Sequence, residues 1–323
     1  MKKNVYIAGH KGMVGSSILR KVVVENKFSP LLKSRFELNL LDQDKTKNFL
    51  KDGNIDHVYI AAAKVGGILA NSNYPADFIF ENLLIQSNLI NGSFEAGIKK
   101  IIFLGSSCIY PKFANQPITE EELLTGFLEK TNEPYSIAKI AGLKMCESYN
   151  RQYGKSHNIN FFSLMPTNLY GTGDNYDSQN SHVLPALLKK IFLATKRKEK
   201  KVTIWGTGKP LREFMHVDDL AEASIFCMNL IEKKGQKFFK EIPYFLNVGT
   251  GEDISIENLA ILISDIIGFK GSFIFDKTKP DGTPKKLLDS SRIKNLGWKP
   301  KISLEDGIRK TLKELEDKES KLS

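Results

Sequence analysis

The sequence predicts an α/β fold in which a Rossmann-type, doubly wound parallel sheet is joined to a smaller α/β C-terminal domain. Short apolar runs, such as residues 5–8 and 101–104, alternate with helical patterns, and this alternation is typical of parallel strands connected by helices. The first run is followed directly by three evenly spaced glycines, Gly9, Gly12 and Gly15. We therefore expect ligands to bind at the carboxyl edge of this sheet.

Length and composition exclude several classes of protein. The 323 residues, 41% of them apolar, are enough for one large or two moderate domains with a packed core. The net charge of +10 comes from scattered lysines and one run at residues 196–201, so a nucleic-acid partner is not favoured. No apolar stretch approaches ~20 residues, so we expect no membrane partner.

The cysteines indicate a reducing environment. Cys108, Cys146 and Cys227 are too few for a disulfide framework and show no metal-ligand spacing. Cys146 and Cys227 fall on apolar helix faces and are assigned to packing. The first residues enter a strand at once and do not resemble a secretory leader. We therefore expect a cytoplasmic protein without a bound metal.

The three glycines form a Gly-x-x-Gly-x-x-Gly loop before a helical pattern at residues 16–24. In a dinucleotide-binding loop, Gly9 would permit the tight turn and Gly12 would let the backbone approach the pyrophosphate. Gly15 would let the helix pack on its strand, with the helix N-terminus directed at the phosphates. An ordinary turn is the alternative, but the position between a strand and a helix favours the dinucleotide.

The second strand is predicted near residues 30–33, and the residues at its end favour NADP over NAD. An NAD enzyme places a carboxylate there for the ribose hydroxyls, whereas residues 33–35 are Lys-Ser-Arg. Arg35 and Lys11 are the candidates for the 2′-phosphate, with solvated surface residues as the alternative. Asp42 could reach the adenine amino group or cap the next helix.

The predicted chemistry lies just beyond the strand at residues 101–104. Ser106 follows this strand, and Tyr135 and Lys139 are four residues apart on a helix that we expect to stop at Gly154. The hydroxyls of Ser106 and Tyr135 could stabilise the charge that develops on oxygen when hydride reaches a ketone. A Lys139 ammonium should bring the pKa of Tyr135 towards neutrality. Taken alone, this Tyr and Lys pair is more often an ordinary helix surface.

The remaining elements follow from the same patterns. We expect a mobile loop at residues 64–67 and a crossover out of the sheet domain at residues 171–181. Asp218 is expected to cap a helix, and Ser303 to begin a capping box. Further strands are predicted at residues 58–63, 161–165 and 202–206, and further helices at residues 78–95, 183–194 and 256–267.

Several motifs together resemble one family. They occupy residues 10–15, 61–67, 105–111, 166–171, 180–182 and 279–284. With Tyr135 and Lys139 they resemble the extended short-chain dehydrogenase/reductases, and among these the NADPH-dependent epimerase/reductases that convert GDP-4-keto-6-deoxy-D-mannose to GDP-L-fucose. The resemblance covers almost the whole chain and implies a homodimer. It also implies an NADP-binding Rossmann domain (residues 1–170 plus about 212–250) and a GDP-sugar-binding domain (about 171–211 plus 251–323).

The resemblance implies roles for five side chains. Tyr135 would be the acid for reduction at C4, with Lys139 as its partner and Ser106 on the carbonyl oxygen. Cys108 and His182 would be the acid/base pair for epimerisation at C3 and C5. A thiol whose pKa is lowered by a nearby cation and an imidazole that titrates near neutrality suit this task. Without the resemblance, such a cysteine is more often packing and such a histidine a helix cap.

The ligand contacts are likewise implied by the resemblance. The expected cofactor-binding residues are Gly9, Lys11, Gly12, Met13, Val14, Gly15, Arg35, Asp42, Ala62, Leu104, Gly105, Ser106, Tyr135, Lys139, Pro166, Asn168, Leu169 and His182. The expected substrate-binding residues are Ser107, Cys108, Asn168, Lys190, Trp205, Arg212 and Asp281. Lys11 and Lys190 stand where arginine is common in the family, and lysine keeps the charge but loses the bidentate fork.

Three other functions compete with this interpretation. A C4 reductase of a related GDP-4-keto sugar, such as a 6-deoxyheptose, would share all these motifs. A nucleotide-sugar dehydratase is expected to have Thr-Asp-Glu in the catalytic loop, where this chain has Ser106, Ser107 and Cys108. This chain therefore lacks the carboxylate that a dehydratase requires. A non-catalytic NADP-sensing regulator would have no need of Tyr135 and Lys139.

Overall fold

The computed structural model describes residues 2–177, 181–279 and 281–320 of the chain. Two residues of the motifs noted above, Asn180 and Pro280, lie outside the described residues. No helix in the described part of the chain is long and apolar enough to cross a membrane.

The described residues form strands and helices in alternation over the first half of the chain. The strands are β1 (Lys3–Ala8), β2 (Phe28–Leu31), β3 (His57–Ile60), β4 (Lys100–Leu104), β5 (Asn160–Pro166), β6 (Asn168–Tyr170), β7 (Lys201–Trp205), β8 (Leu211–His216), β9 (Phe245–Val248), β10 (Asp253–Ser255), β11 (Ser272–Asp276) and β12 (Lys285–Lys286). The helices are α1 (Met13–Val24), α2 (Gln43–Asp52), α3 (Ile68–Asn73), α4 (Pro75–Glu95), α5 (Glu133–His157), α6 (Val183–Lys196), α7 (Val217–Lys234), α8 (Ile256–Ile267), α9 (Ser291–Asn295) and α10 (Leu304–Ser320).

A six-stranded parallel sheet forms the centre of the larger region. Its strand order is β2-β1-β3-β4-β5-β9, and each neighbouring pair is parallel. Strand β1 shows why both faces are covered, because successive side chains point to opposite sides. Val5 and Ile7 pack in one apolar core with α1 and α7, whereas Tyr6 and Ala8 pack in a second core with α2, α4 and α5. The predicted doubly wound parallel sheet is confirmed.

The smaller region is built on two short sheets. One has the order β10-β8-β12 with β6 also paired to β8, and the other pairs β11 with β7. Helices α6, α8 and α10 supply a third apolar core around them. Strand β8, at residues 211–216, belongs to this region, whereas the predicted domain division placed residues from 212 onwards with the large sheet. After β8 the chain returns to the larger region at α7, which packs against α1, and then forms β9 of the large sheet.

Two local predictions were wrong. Helix α5 runs past Gly154 and ends at Asn158, which adopts the left-handed conformation with φ of 55°. Gly154 lies inside the helix. A glycine suits this position because a Cβ there would come within 2.5 Å of the side chain of Gln236. Asp218 does not cap α7. His216 does, since its Nδ1 accepts a hydrogen bond from the Asp218 backbone at 3.2 Å.

Other elements lie close to where the sequence predicts them. Helix α8 has the predicted bounds, and β2 begins two residues earlier than expected. Ser303 caps α10, because its hydroxyl accepts a hydrogen bond from the backbone of Asp306 at 3.1 Å. The carboxylate of Asp218 instead joins α7 to α1 through hydrogen bonds from Ser17 and Arg20, each at 2.6 Å.

Candidate active site

The glycine loop has the backbone geometry that a pyrophosphate site needs. Gly9 has φ of +85°, and a Cβ there would lie 2.7 Å from the backbone nitrogen of Ala62 at the end of β3. A Cβ on Gly15 would overlap the carbonyl oxygen of Gly9, so the start of α1 packs directly on the loop. No side chain among the described residues caps the helix at Gly12. The N–H groups of the first turn, at residues 13–15, can therefore bind an anion, aided by the helix dipole.

The residues predicted for the adenosine side are at the surface. Lys11 and Arg35 are both exposed, and the Arg35 guanidinium lies 3.7 Å from the carboxylate of Glu81. Asp42 caps α2, accepting a hydrogen bond from the backbone of Lys45 at 3.0 Å, and this bond lowers the pKa of its carboxyl group. The capping role is thus filled in the structure, while the adenine contact of Asp42 stays a prediction.

The loop after β3 is held by hydrogen bonds on both sides. The backbone N–H and C=O of Lys64 bond to the side-chain amide of Asn82 at 2.9 and 3.0 Å. The amide of Asn71 donates to the carbonyls of Gly66 and Gly67 at 2.8 and 3.0 Å. The segment predicted to be mobile therefore has defined partners at each end.

The turn after β4 brings Ser106 and Cys108 to the sheet edge. Gly105 allows this turn, because a Cβ there would overlap the side chain of Met165 on β5. The Ser106 hydroxyl accepts a hydrogen bond from the backbone of Cys108 at 3.2 Å and opens a short 3-10 turn. Ser107 is buried, whereas Ser106 and Cys108 are half-buried.

Tyr135 and Lys139 lie on the first turns of α5 and face the same turn. The Lys139 ammonium is buried, donates to the carbonyl of Leu104 at 2.8 Å and lies 5.8 Å from the centre of the Tyr135 ring. Burial lowers the pKa of Lys139 to about 8. Burial also raises the pKa of Tyr135, with a further rise from Cys108 and an opposing hydrogen bond from Ser106. The expected net lowering of the Tyr135 pKa was wrong, because desolvation of the phenol outweighs any stabilisation of the tyrosinate by a nearby cation.

Cys108 lies beside two donors that the sequence analysis did not identify. Its Sγ accepts hydrogen bonds from the Lys286 ammonium and from the Asn132 amide, both at 3.4 Å. Burial raises the pKa of the thiol, but the charge of Lys286, hydrogen bonds from Ser106 and Lys286 and the charge of Arg212 together lower it below its usual value. Cys108 is therefore the cysteine most readily converted to thiolate.

The other two cysteines differ from Cys108 in their surroundings and in the direction of their pKa shifts. Cys146 and Cys227 are fully buried among apolar side chains. Burial raises the pKa of Cys146 to about 12, and it also raises the pKa of Cys227. Both sites are consistent with packing.

The two missed residues gave weak signals in the sequence. Asn132 stands immediately before α5, where an asparagine normally caps the helix, but its side chain makes no capping hydrogen bond. Lys286 lies on β12, which has only two residues and thus no strand pattern that periodicity could detect. Its approach to Cys108 depends on the pairing of β12 with β8.

His182 is placed at the N-terminus of α6. It occupies the cap position, but its side chain makes no capping hydrogen bond and is partly exposed to solvent. Partial burial in the cleft and the nearby Lys286 ammonium lower its pKa. The structure thus brings Ser106, Cys108 and Tyr135 together. The charge of Lys286 acts on both Cys108 and His182, because it lowers the pKa values of both groups.

The residues predicted at the nicotinamide side follow the end of β5. Pro166 is the last residue of that buried strand. The amide of Asn168 donates to the carbonyl of Glu213 at 2.7 Å, and the hydroxyl of Thr167 donates to the same carbonyl at 3.2 Å. Asn168 and Leu169 are half-buried, and β6, which contains them, pairs with β8.

The residues predicted for the GDP-sugar lie on the smaller region. Lys190 donates to the carbonyl of Thr203 at 2.5 Å, and burial lowers its pKa although part of the side chain is exposed. Trp205 is 55% exposed, with the Lys279 ammonium 5.4 Å from its ring centre. Asp281 accepts hydrogen bonds from the backbone and hydroxyl of Thr207 at 2.6 and 2.8 Å.

Arg212 is half-buried, and its charge helps to lower the pKa of the Cys108 thiol. It stands opposite Lys286 in the pairing of β8 with β12. Two cations on adjacent strands therefore face the cleft region of Cys108. This arrangement favours anionic groups, either a thiolate or a phosphate.

Several known enzymes are similar to this chain in sequence. Residues 5–240 match the model of the NAD dependent epimerase/dehydratase family. The chain is 52% identical over 310 residues to GDP-L-fucose synthase from Escherichia coli strain K12, covering 96% of this chain and 95% of that protein. It is 49% identical over 307 residues to GDP-L-fucose synthase 1 from Arabidopsis thaliana, covering 95% and 91%.

Solved structures of the same shape extend this group. A GDP-6-OMe-4-keto-L-xylo-heptose reductase from Campylobacter jejuni has a TM-score of 0.90 at 39% identity, with 98% of each chain covered. A GDP-mannoheptose C4 reductase from the same organism, solved with NADP bound, has a TM-score of 0.87 at 39% identity and the same coverage. These similarities confirm the resemblance to the extended short-chain dehydrogenase/reductases. The chain belongs to the NAD dependent epimerase/dehydratase family.

Proposed function

We propose that the protein is an NADPH-dependent epimerase/reductase that converts GDP-4-keto-6-deoxy-D-mannose to GDP-L-fucose. The observation that carries the proposal is the position of the cation-paired Cys108 thiol beside Ser106, Tyr135 and Lys139. Groups for proton removal from carbon and for protonation of a reduced carbonyl thus share one cleft. The 52% identity to a GDP-L-fucose synthase over nearly both whole chains supports the same conclusion.

The proposed cofactor is NADPH, which when bound supplies the hydride that reduces C4. The uncapped N-terminus of α1 and the glycine loop fit its pyrophosphate. The exposed cations Lys11 and Arg35 are proposed to hold its 2′-phosphate. The contacts of the other predicted cofactor-binding residues are likewise proposals.

In the proposed epimerisation, the Cys108 thiolate removes the proton on C3 or C5, which the C4 ketone acidifies. The electron pair of the C–H bond moves into an enolate on the C4 oxygen, and the sulfur becomes a neutral thiol. Hydrogen bonds from the hydroxyls of Ser106 and Tyr135 stabilise this oxyanion. The His182 imidazolium then protonates the same carbon from the opposite face, which re-forms the ketone. Solvent returns both groups to their starting protonation states.

In the proposed reduction, Tyr135 donates its phenolic proton to the C4 oxygen as the carbinol forms. Burial keeps Tyr135 protonated at neutral pH, which is the form that an acid requires. Ser106 donates a second hydrogen bond to this oxygen. The Lys139 ammonium, fixed on the carbonyl of Leu104, stabilises the tyrosinate that remains.

The smaller region is proposed to recognise the GDP-sugar. Arg212 is suited to a phosphate oxygen of the diphosphate, and Lys190 adds charge on α6. The exposed face of Trp205 can stack on guanine, and Asp281 is held near it through Thr207. Ser107 and Asn168 complete the proposed sugar contacts. On this basis we propose NADP-binding and substrate-binding domains with the boundaries predicted from the sequence, except that β8 pairs within the substrate-binding sheet.

We further propose a homodimer in the cytoplasm. Three large apolar side chains on and beside α4 and α5 are exposed: Tyr74 by 57%, Phe80 by 60% and Ile137 by 42%. An exposed apolar surface of this kind is typical of an interface between subunits. Mass measurement by light scattering tests the dimer, and a monomer at micromolar concentration would contradict it.

A second candidate is a C4 reductase of a related GDP-4-keto heptose. The 39% identity and TM-score of 0.90 with a heptose reductase favour its consideration. Incubation with GDP-4-keto-6-deoxy-D-mannose in deuterated water without NADPH separates the two. The proposed function requires deuterium at C3 and C5, loss of that exchange in Cys108→Ser, and GDP-L-fucose as the product once NADPH is added. NADPH oxidation without exchange would support the reductase.

A further inference from the structure

The Lys286 ammonium has an unusual position for a lysine. It is half-buried and donates a hydrogen bond to the Cys108 Sγ at 3.4 Å. Among the described residues, no carboxylate is within ion-pair distance of it. The adjacent Lys285 is different, because its ammonium pairs with Asp253 at 3.2 Å. The charge of Lys286 is therefore directed at the sulfur.

We propose that Lys286 is a positioning residue for the epimerisation stage, and that its ammonium holds Cys108 as a thiolate in the cleft. This inference rests on the proposed function, because it assigns the base for that reaction. The sheet fixes the position of the ammonium, since β12 pairs in register with β8. A fixed cation does not need to be reorganised when the thiolate forms.

The other charged and titratable groups around the sulfur do not replace Lys286. They are Arg212 on β8, Tyr135 on α5, His182 at the start of α6, and four residues that line the cavity beside Cys108, namely Tyr110, Lys112, Glu129 and Lys285. Arg212 is the proposed phosphate ligand, so its charge is shared with substrate. Burial raises the pKa values of Tyr135 and Tyr110, so both phenols are neutral at neutral pH. His182 is the proposed acid, and its own pKa is lowered. Glu129 and Lys112 are paired with each other at 2.7 Å.

Lys286 also acts on the second member of the proposed acid/base pair. The same ammonium lowers the pKa of His182. Removal of this charge therefore raises the pKa values of both Cys108 and His182. The pH range in which a thiolate and an imidazolium coexist moves upwards as a whole, and a purely structural role for Lys286 would not produce that shift.

The first experiment measures the thiol without substrate or cofactor. The full chain is alkylated with iodoacetamide across a range of pH, and the modification of Cys108 is followed by peptide mass spectrometry, with Cys108→Ser as the blank. An opposite charge at this distance shifts a pKa by about 1 to 3 units. In Lys286→Gln the midpoint should rise by this amount.

Two further variants control for packing and for general charge. Lys286→Arg retains the cation and should keep a midpoint close to that of the native chain. Lys285→Gln removes a neighbouring charge that is paired elsewhere, and it should leave both the midpoint and the activity unchanged. An unchanged midpoint in Lys286→Gln, or a rise in Lys286→Arg equal to that in Lys286→Gln, would overturn the proposal. NADPH binding measured on the same samples verifies that each variant is folded.

The second experiment separates this inference from the proposed function. Deuterium incorporation at C3 and C5 is measured against pH in the native chain and in Lys286→Gln, where the optimum should move to higher pH. A shifted alkylation midpoint with no deuterium incorporation in any variant would leave the thiolate pair intact and reject the proposed function. Incorporation with identical pH profiles in both proteins would support the proposed function and reject the role of Lys286.

Discussion

The glycine loop and the Cys108 cleft lie at the same edge of the large sheet but are built in opposite ways. The loop is one continuous segment whose backbone supplies the binding groups. The cleft is assembled from side chains on separate segments, and Cys108 and Lys286 are 178 residues apart. A backbone site can be recognised from local spacing, whereas a side-chain site depends on which strands the fold brings together.

The largest expected effect tests the side-chain site. Tyr135→Phe removes the proton donor for C4 reduction, and the rate of NADPH oxidation should fall by about 10²- to 10⁴-fold. Deuterium exchange at C3 and C5 should decrease less, because Cys108 and His182 remain. Steady-state kinetics with GDP-4-keto-6-deoxy-D-mannose provides the measurement. A rate equal to that of the native chain would refute the assignment of Tyr135 as the acid.

The next effect tests the backbone site. Gly15→Ala places a methyl group against the carbonyl of Gly9, and overpacking of this kind destabilises a protein by about 1–3 kcal/mol. We expect a lower midpoint in urea and weaker NADPH binding, measured by fluorescence titration. Gly97→Ala is a useful control for the loss of a glycine, because no atom lies within 4 Å of a Cβ built there, although its positive φ adds some strain. Unchanged stability and NADPH affinity in Gly15→Ala would show that the loop can relax.

A smaller effect tests the proposed 2′-phosphate contact. Arg35→Gln removes a charged hydrogen-bond donor, and such a bond contributes about 1.5 kcal/mol. The KM for NADPH should rise about tenfold, whereas the KM for NADH should change little. Lys33→Gln serves as the matched control, since Lys33 lies near Glu37 at 3.9 Å and has no assigned role. An equal loss with both nucleotides would place Arg35 outside the phosphate site.

The smallest effect distinguishes the two roles of Asp42. Asp42→Ala removes the N-cap of α2, which lowers the free energy of unfolding by about 1 kcal/mol. If capping is its whole role, the affinity for NADPH is unchanged, and urea unfolding alone reports the substitution. A clear loss of NADPH affinity at constant stability would instead support the adenine contact.

Much of the fold could be predicted from the sequence because its signals are local. The apolar runs predicted β1, β4 and β5 correctly, and the three glycines predicted the loop before α1. The predicted end of α5 at Gly154 was wrong. A glycine can end a helix, but it can also lie inside one where a neighbouring side chain, here Gln236, packs closely against the backbone. Asp218 misled because the preceding histidine fills the cap position.

The candidate site was predicted in part for the same reason. Ser106 could be identified because it follows the apolar run of β4. Tyr135 and Lys139 could be identified because they are four residues apart on a predicted helix. Lys286 and Asn132 could not be identified, since their contacts with Cys108 arise from strand pairing and from a loop. The burial that keeps Tyr135 protonated is likewise a property of the packed structure.

The hydrogen bonds from the side chains of Thr167 and Asn168 to the carbonyl of Glu213 have a mechanical consequence. These two hydrogen bonds join the segment that follows β5 to β8, and β8 in turn pairs with β12, which carries Lys286. The position of the Lys286 ammonium is therefore connected to the carboxyl edge of the large sheet through the backbone.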